Sequence, residues 1–229
     1  MTEDARNLLN WKPVSRPAPV TLQGRAVALE PLDAGRHSAA LWKHFQGHDD
    51  LWTWMADGPF RSEDELWQAV AGKQANPAAI FLAILPAATR QAAGWASLMR
   101  AEPAHGVIEV GNIVFGPPLQ RSDAATEAMY LMARFVFDEL GYRRYEWKCN
   151  AGNLASRRAA ERLGFTFEGI FRQHMIVKGR NRDTAWYAML DRDWPARRQA
   201  FERWLDPANF DDAGRQRKRL EDFRQSIKS

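Results

Sequence analysis

Three stretches of the chain combine residue types that could do chemistry. In the first, Gly116-Pro117-Pro118 closes a strand-like run, and Leu119-Gln120-Arg121-Ser122-Asp123-Ala124-Ala125-Thr126-Glu127-Ala128 opens a helix-like one. The first amides of a helix have no internal partners and carry partial positive charge, so they attract anions. Small residues at that point let a diphosphate reach the backbone, and Arg121 adds a cation beside it. The same pattern also fits a helix that simply begins there. In the second stretch, Glu109 stands between Ile108 and Val110 and so points to the face opposite theirs. A carboxylate among apolar strand residues has a raised pKa, which suits a general base near neutrality; an exposed strand acid is the alternative. His105 and Asp183 are weaker alternates for that role. In the third stretch, Asn153 stands where it would cap a helix. Ser156 follows in the first turn, where ordinary helix-end hydrogen bonding could also occupy it.

Other chemistries find little support. Cys149 is the single cysteine, which excludes an internal disulfide and a Cys-based zinc site and points to a reducing, cytoplasmic setting. No histidine lies near it in sequence, so it reads as a buried thiol rather than a nucleophile. Among the histidines only His44 and His48 have a spacing that could share a metal on one helix face. Gly47 lies between them and a third ligand is missing, so no metal is expected. Lys and Arg outnumber Asp and Glu by 32 to 28, a net charge of +4. That small excess fits a soluble surface or a basic cleft for an anionic cofactor or acidic partner. The tail GRQRKRLEDFRQSIKS motivates a nucleic-acid reading, but Glu221 and Asp222 dilute it and no long basic block occurs. No apolar run is long enough for a membrane span, and the polar start MTEDARNLLNWKP does not read as a signal peptide.

The elements that must position these residues follow from pattern. Residues 1–20 read as an extended arm, with prolines at 13, 17 and 19. A strand over Arg25–Leu29 precedes helices over Asp33–Phe45 and Arg61–Gln74. Ser62 and Glu65 form a capping box for the second helix, and Asn76-Pro77 ends it. Three strands follow, Ile80–Leu85, Ala92–Arg100 and Val107–Phe115, with connections short enough for an antiparallel meander. Ala124–Leu140 carries apolar residues at helical spacing and stops at Gly141. Then come a strand at Tyr145–Cys149, a helix at Asn153–Leu163 stopped by Gly164, and strands at Phe165–Phe167, Phe171–Val177 and Ala185–Leu190. Lys178–Arg182 is the turn of the closing hairpin. Beyond Trp194-Pro195 the chain reads as charged, helical and ending in a solvated tail. The pattern is mixed α/β. Ten tryptophans is a high count, and Trp42, Trp52, Trp54 and Trp67 gather early, so Trp52 and Trp54 are candidates to line an aromatic pocket for an acceptor.

Taken together, Glu109-Val110-Gly111, then Gln120 to Ala128, then Asn153-Leu154-Ala155-Ser156 and Leu163-Gly164-Phe165 resemble the GNAT acetyltransferases, in particular the branch that acetylates the N-termini of ribosomal proteins. The resemblance covers the C-terminal two-thirds well and the first part only by element order. It implies an α/β (α+β) domain over residues 21–195, with a mostly antiparallel six- to seven-stranded sheet flanked by helices and a charged helical tail over 196–229. It implies an acyltransferase that uses acetyl-CoA, or another acyl-CoA, to acylate a primary amine, either a protein N-terminus or a small molecule. Glu109 would be the general base at the acetyl end, and Ser156 the acid that protonates the leaving thiolate. Main-chain N–H groups from Asn112 through Ile113 and Val114 to Phe115 would bind the thioester oxygen and pantetheine. Gln120 to Thr126 would hold the diphosphate and Asn153 the pantetheine arm, while Arg157 or Arg158, otherwise part of a solvated face, would meet the 3′-phosphate. The family often pairs, so a homodimer is one option, but the sequence itself leaves the oligomeric state open. One departure stands out: Asp123 occupies a position usually held by Gly, where its charge would compete with phosphate for the helix amides unless it turns outward with Arg121 offsetting it. That departure motivates the alternative of a non-catalytic CoA-binding sensor or assembly module.

Overall fold

A computed structural model of the chain describes residues 8–226. Its sheet has eight strands in the order β1-β2-β3-β4-β5-β6-β8-β7. The expected count was six to seven. A two-residue strand β1 (Leu22–Gln23) pairs with β2 (Val27–Pro31), and the two short runs expected near residues 165–177 join into one bulged strand β7 (Thr166–Val177). The other strands are β3 (Ala79–Pro86), β4 (Gly94–Glu102), β5 (Val107–Phe115), β6 (Arg144–Asn150) and β8 (Arg180–Leu190). Every neighbouring pair is antiparallel except β5 and β6. That parallel pair requires a crossover, supplied by α3 (Asp123–Arg134) and the π-helical turn Phe135–Glu139 that extends it.

The helix ends are set by local chemistry. Asp33 caps α1 (Ala34–Phe45) by accepting from the amide of Arg36. Ser62 caps α2 (Glu63–Gln74) through the amide of Glu65, while Glu65 reaches back to the amide of Arg61. Asn153 caps α4 (Leu154–Leu163), which ends at Gly164 with a φ of 98°, a conformation that favours glycine. The hairpin β7–β8 turns at Lys178 and Gly179, both at positive φ, a turn whose twist suits two antiparallel strands.

Two apolar layers flank the sheet. Ile108, Val110, Met132, Tyr187, Trp204 and Phe223 belong to a cluster that joins the sheet to α3, α4, α5 (Trp194–Leu205) and α6 (Leu220–Ser226). Leu41, Phe45, Trp52, Leu66, Trp95 and Val114 form a second cluster with α1 and α2. The segment read as a solvated tail therefore packs on the core through Phe201, Trp204, Leu220 and Phe223. The charged residues between them had masked its apolar face. Of the expected arm, residues 1–7 lie outside the described residues. The rest runs without regular structure along the β4–β5 turn, where Trp11 donates to Ala104 and Val14 to Pro103. No helix among the described residues is long and apolar enough to cross a membrane.

Candidate active site

The two parallel strands part company in the middle of the sheet. Pairing runs from Val107↔Arg144 to Val110↔Trp147 and stops there, although β5 continues to Phe115 and β6 to Asn150. A bulge adds to the divergence: Asn112 has a φ of 51°, and the β4–β5 register shifts between Trp95 and Ser97. The bulge reverses the alternation of β5. Ile108 and Val110 face α3, but beyond it Val114 faces α1 and α2 instead. Ile113 and Phe115 pack against the α3 cluster. Ser97 donates to the carbonyl of Gly111 and accepts from the side-chain Nδ2 of Asn112, fixing the distorted strand. A Cβ on Gly111 would lie 2.8 Å from Sδ of Met99 and 3.3 Å from Oε1 of Glu109. A side chain there would have to displace the Met99 thioether, and Glu109 Oε1 lies at the point where the strands separate.

Glu109 is buried on the face opposite Ile108 and Val110. Its Oε2 lies 3.1 Å from Nζ of Lys148, an ion pair without hydrogen-bond alignment, and 3.5 Å from Nε of Arg100. Lys148 is itself nearly buried; it pairs with Glu146 at 2.7 Å and sits 3.7 Å from the ring centre of Trp186. Glu109 and Glu146 are register partners, yet their environments push them apart. Burial raises the Glu109 carboxyl above its ordinary range, and Lys148 and Arg100 only partly oppose it. Burial also acts on Glu146, but Lys148 and Arg144 outweigh it and hold that carboxyl low. A raised carboxyl beside a depressed one distinguishes the base from the charge that organises it. The alternates are poorly placed. His105 is exposed in the β4–β5 turn, at the end of β5 away from the divergence. Asp183 accepts from the amides of Gln173 and Asn181, which hold its carboxyl below the ordinary value.

On the other face, a cleft of about 1070 Å³ opens between α3 and α4. Phe115, Arg121, Ser122, Asp123, Ala125, Thr126 and Arg158 line it; Ile113, Val114, Gln120, Ala124, Asn153 and Ser156 do not. Gln120 instead donates to the carbonyl of Phe115, and Ala124 is buried against the core. Ser122 caps α3 by accepting from Ala125, and Asp123 Oδ1 accepts from Ala124 at 2.8 Å. Asp123 therefore does occupy a helix amide. Its charge is met by Arg25 from the β1–β2 hairpin at 3.7 Å, rather than by Arg121. Five arginines line the cleft (Arg25, Arg121, Arg158, Arg162 and Arg215) against one acid, Asp123. Arg162 donates to Thr126, stacks on Trp204 and is desolvated enough to lower its pKa, with no carboxylate at ion-pair distance among the described residues. Glu221 offsets its charge only from a distance, and a part-buried guanidinium in that state, beside a helix N-terminus, fits an anionic ligand. The residues present thus fit the diphosphate and 3′-phosphate of an acyl-CoA. Among the described residues no group of His, Cys, Asp or Glu could hold a metal ion.

The floor of the cleft includes Trp147, whose indole N–H donates to Ser156 Oγ at 3.0 Å. Asn153 Oδ1 accepts from the Ser156 amide. Burial raises the Cys149 thiol above its ordinary value, which disfavours a thiolate. Arg157 is tied to Tyr187 and Ala151, leaving Arg158 on the cleft wall. The early tryptophans divide. Trp52 is a core residue, 2% exposed, packed edge-on to Phe45 and Phe60. Trp54 is exposed, and a Cβ on Gly152 would come within 3.2 Å of its ring, so Trp54 reaches the loop just before Asn153. Trp67 lies exposed on α2. Sequence reasoning missed Lys148, Arg100, Arg25, Arg162 and Trp147. It also missed Lys178, which donates from the β7–β8 turn to the carbonyls of Trp52, Asp57 and Gly58 and ties that hairpin to the α1–α2 connection.

Residues 27–166, more than half of the chain, match the family described as Acetyltransferase (GNAT) domain. A solved GCN5-related N-acetyltransferase from Brucella melitensis is 48% identical, with a TM-score of 0.93, over 94% of this chain and 99% of that one. Two Bacillus subtilis proteins are similar over shorter segments. YdaF, whose name gives it provisionally as a ribosomal N-acetyltransferase, is 35% identical over 69 residues, 30% of this chain. The uncharacterized N-acetyltransferase YnaD is 32% identical over 82 residues, 35% of this chain. The chain spans 38% and 48% of the lengths of these two curated relatives.

Proposed function

Since the chain belongs to the GNAT acetyltransferase family, we propose that it moves an acetyl group, or another short acyl group, from acyl-CoA to a primary amine by direct attack. The single observation that carries this reading is the cationic cleft running from the α3 N-terminus to Trp147, which holds Ser156, with the buried, raised carboxyl of Glu109 on the opposite side of the strand divergence.

Acyl-CoA supplies an activated thioester carbonyl. Arg121, Arg158 and Arg162, with the start of α3, hold its phosphates. Backbone N–H groups of β5 beyond Val110, freed from β6 by the divergence, polarise the carbonyl oxygen. Glu109 Oε1 accepts the proton that the ammonium must lose before nitrogen can attack. Ser156 Oγ accepts from Trp147 and also hydrogen-bonds with the Cys149 sulfur, and its hydroxyl proton is the one that passes to the departing thiolate. The acceptor approaches on the Glu109 face, between Trp54 and the hairpin held by Lys178. A protein N-terminus or a small-molecule amine would meet these requirements, in a cytoplasmic enzyme that works without a metal and pairs as a homodimer.

The test is release of free thiol from acetyl-CoA in the presence of a panel of peptides with different N-terminal residues and of small amines. Acceptor-dependent release with at least one class is expected. Tight acetyl-CoA binding without release against any acceptor would favour the second reading, a CoA-binding sensor or assembly module. That reading draws on the two features that restrain chemistry here: the ion pairs on Glu109 and the acid that occupies the α3 amide.

A further inference from the structure

The cleft has a wall built from residues that lie beyond the family match. The family match ends at residue 166, whereas Trp204, Pro207, Phe210, Gly214, Arg215 and Gln216 close the outer side of the cleft. This strap is built rather than loose. Asn209 is buried and donates to the carbonyls of Trp204 and Lys218 while accepting from the Lys218 amide. Asp211 accepts from the amides of Ala213 and Arg215 and pairs with the Arg215 guanidinium at 2.9 Å. Trp204 packs edge-on against Phe210, donates to Gln216 and receives Arg162 on its ring. Arg224 of α6 docks the strap's far end on the last carbonyls of α4.

We infer that residues 204–216 form the binding wall for the phosphorylated adenosine end of the acyl donor: the aromatic side chain of Phe210 takes the base, and Arg215 joins Arg158 on the 3′-phosphate. This rests on the acyl-CoA reading above. Pantetheine has to run towards Trp147 and Ser156 to reach the strand divergence, and the diphosphate occupies the α3 start. The remaining nucleoside is left on the outer side of the cleft, where the strap lies. Aromatic surfaces accept bases by stacking. A phosphate monoester carries about −1.5 to −2 charges, and the five arginines, less Asp123 and the Asp211 that pairs with Arg215, leave a net charge of +3, more than a diphosphate alone requires. Arg215 is largely exposed, so it pays little desolvation in meeting a phosphate. The strap thus makes the enzyme selective for donors with a complete nucleotide over truncated thioesters.

Calorimetry on the full chain with CoA and with 3′-dephospho-CoA tests this. Wild-type protein is expected to prefer CoA by about tenfold, the worth of one charge-assisted contact. Arg215→Gln should lose most of that preference while keeping its affinity for dephospho-CoA, and Arg215→Lys should restore part of it. Phe210→Ala should weaken both ligands by the same factor. Melting temperatures like that of wild type would establish that the variants remain folded. Equal binding of both ligands by wild-type protein would overturn the strap inference and leave the acyl-CoA reading standing. Wild-type selectivity in Arg215→Gln together with unchanged affinity in Phe210→Ala would do the same. Failure of the wild-type protein to bind either ligand would remove both.

Discussion

Lys148 Nζ lies 3.1 Å from Glu109 Oε2, and both side chains are almost fully buried. A carboxylate that burial would keep protonated is thereby held beside a cation that favours its charge. The balance leaves the Glu109 carboxyl above its ordinary range. Arg100, Arg182 and Glu146 also act on this pair, and Arg182 carries a buried Nε without a hydrogen-bond partner.

Replacing Lys148 by Met removes the largest influence that lowers the Glu109 pKa. The acid limb of the kcat/KM profile should move to higher pH, because the base must be ionised to act. The stability profile follows the same sign. A carboxyl raised in the folded state stabilises the fold fully below its ordinary pKa, and that contribution is lost as pH rises through the folded value. In Lys148→Met the loss should extend to higher pH, measured by denaturant unfolding across a pH series. An acid limb that stays in place would separate Lys148 from the base.

Glu109→Gln keeps the shape of the side chain and removes its basicity. Turnover should fall by roughly 10²- to 10⁴-fold, the range for a lost general base. Acetyl-CoA affinity should stay unchanged, because Glu109 lies across the sheet from the phosphate cleft. Unchanged turnover at neutral pH would transfer the role to another group.

Ser156→Ala should lower turnover and also cost stability. Trp147 would lose the acceptor of its indole N–H, a loss of about 1–3 kcal/mol for a donor left unsatisfied. Ser156→Thr keeps the hydroxyl and should recover part of both. Recovery of stability without recovery of turnover would confine Ser156 to a structural role.

Asp123→Asn removes the negative charge from the α3 start while retaining an oxygen for the Ala124 amide. Acetyl-CoA should bind about two- to fivefold more tightly, matching the 0.3–1 kcal/mol of a charge near a helix end. Weaker binding by calorimetry would mean that Asp123 assists the cofactor, for example by positioning Arg25.

Lys178→Met frees three loop carbonyls from their shared donor. These oxygens regain water when the hairpin loosens, so stability should drop by only about 0.5–1.5 kcal/mol. The KM for the amine should rise while that for acetyl-CoA holds. A matched rise in both would place the hairpin's influence on the cofactor side as well.

Much of the architecture was legible because it is local. The caps at Asp33, Ser62, Asn153 and Gly164 announce their helices, and apolar spacing separates strand from helix. Strand count was less legible, since a two-residue strand such as Leu22–Gln23 has no periodicity to read. The site divides in the same way. Glu109 and Ser122–Thr126 could be singled out because their chemistry is contiguous in sequence. The Lys148–Glu109 pair depends on the register of β5 against β6, and Arg25 and Arg162 come from elements far apart in the chain. Trp52 and Trp54 are two residues apart, yet one is core and the other is exposed beside the cleft loop, a distinction made by the packing of Phe45, Phe60 and Trp95. The apolar face of α5 and α6 is interrupted by arginines, which concealed its docking on the core.

The central claim is that the arginine-lined start of α3 holds the diphosphate of a nucleotide thioester. Calorimetric titration of acetyl-CoA into the protein at two salt concentrations tests it most directly. The account predicts stoichiometric binding that weakens as salt rises and is largely lost when Arg121 and Arg162 are both replaced by Gln. Absence of binding heat at high micromolar acetyl-CoA, or binding indifferent to salt and to those two arginines, would contradict it.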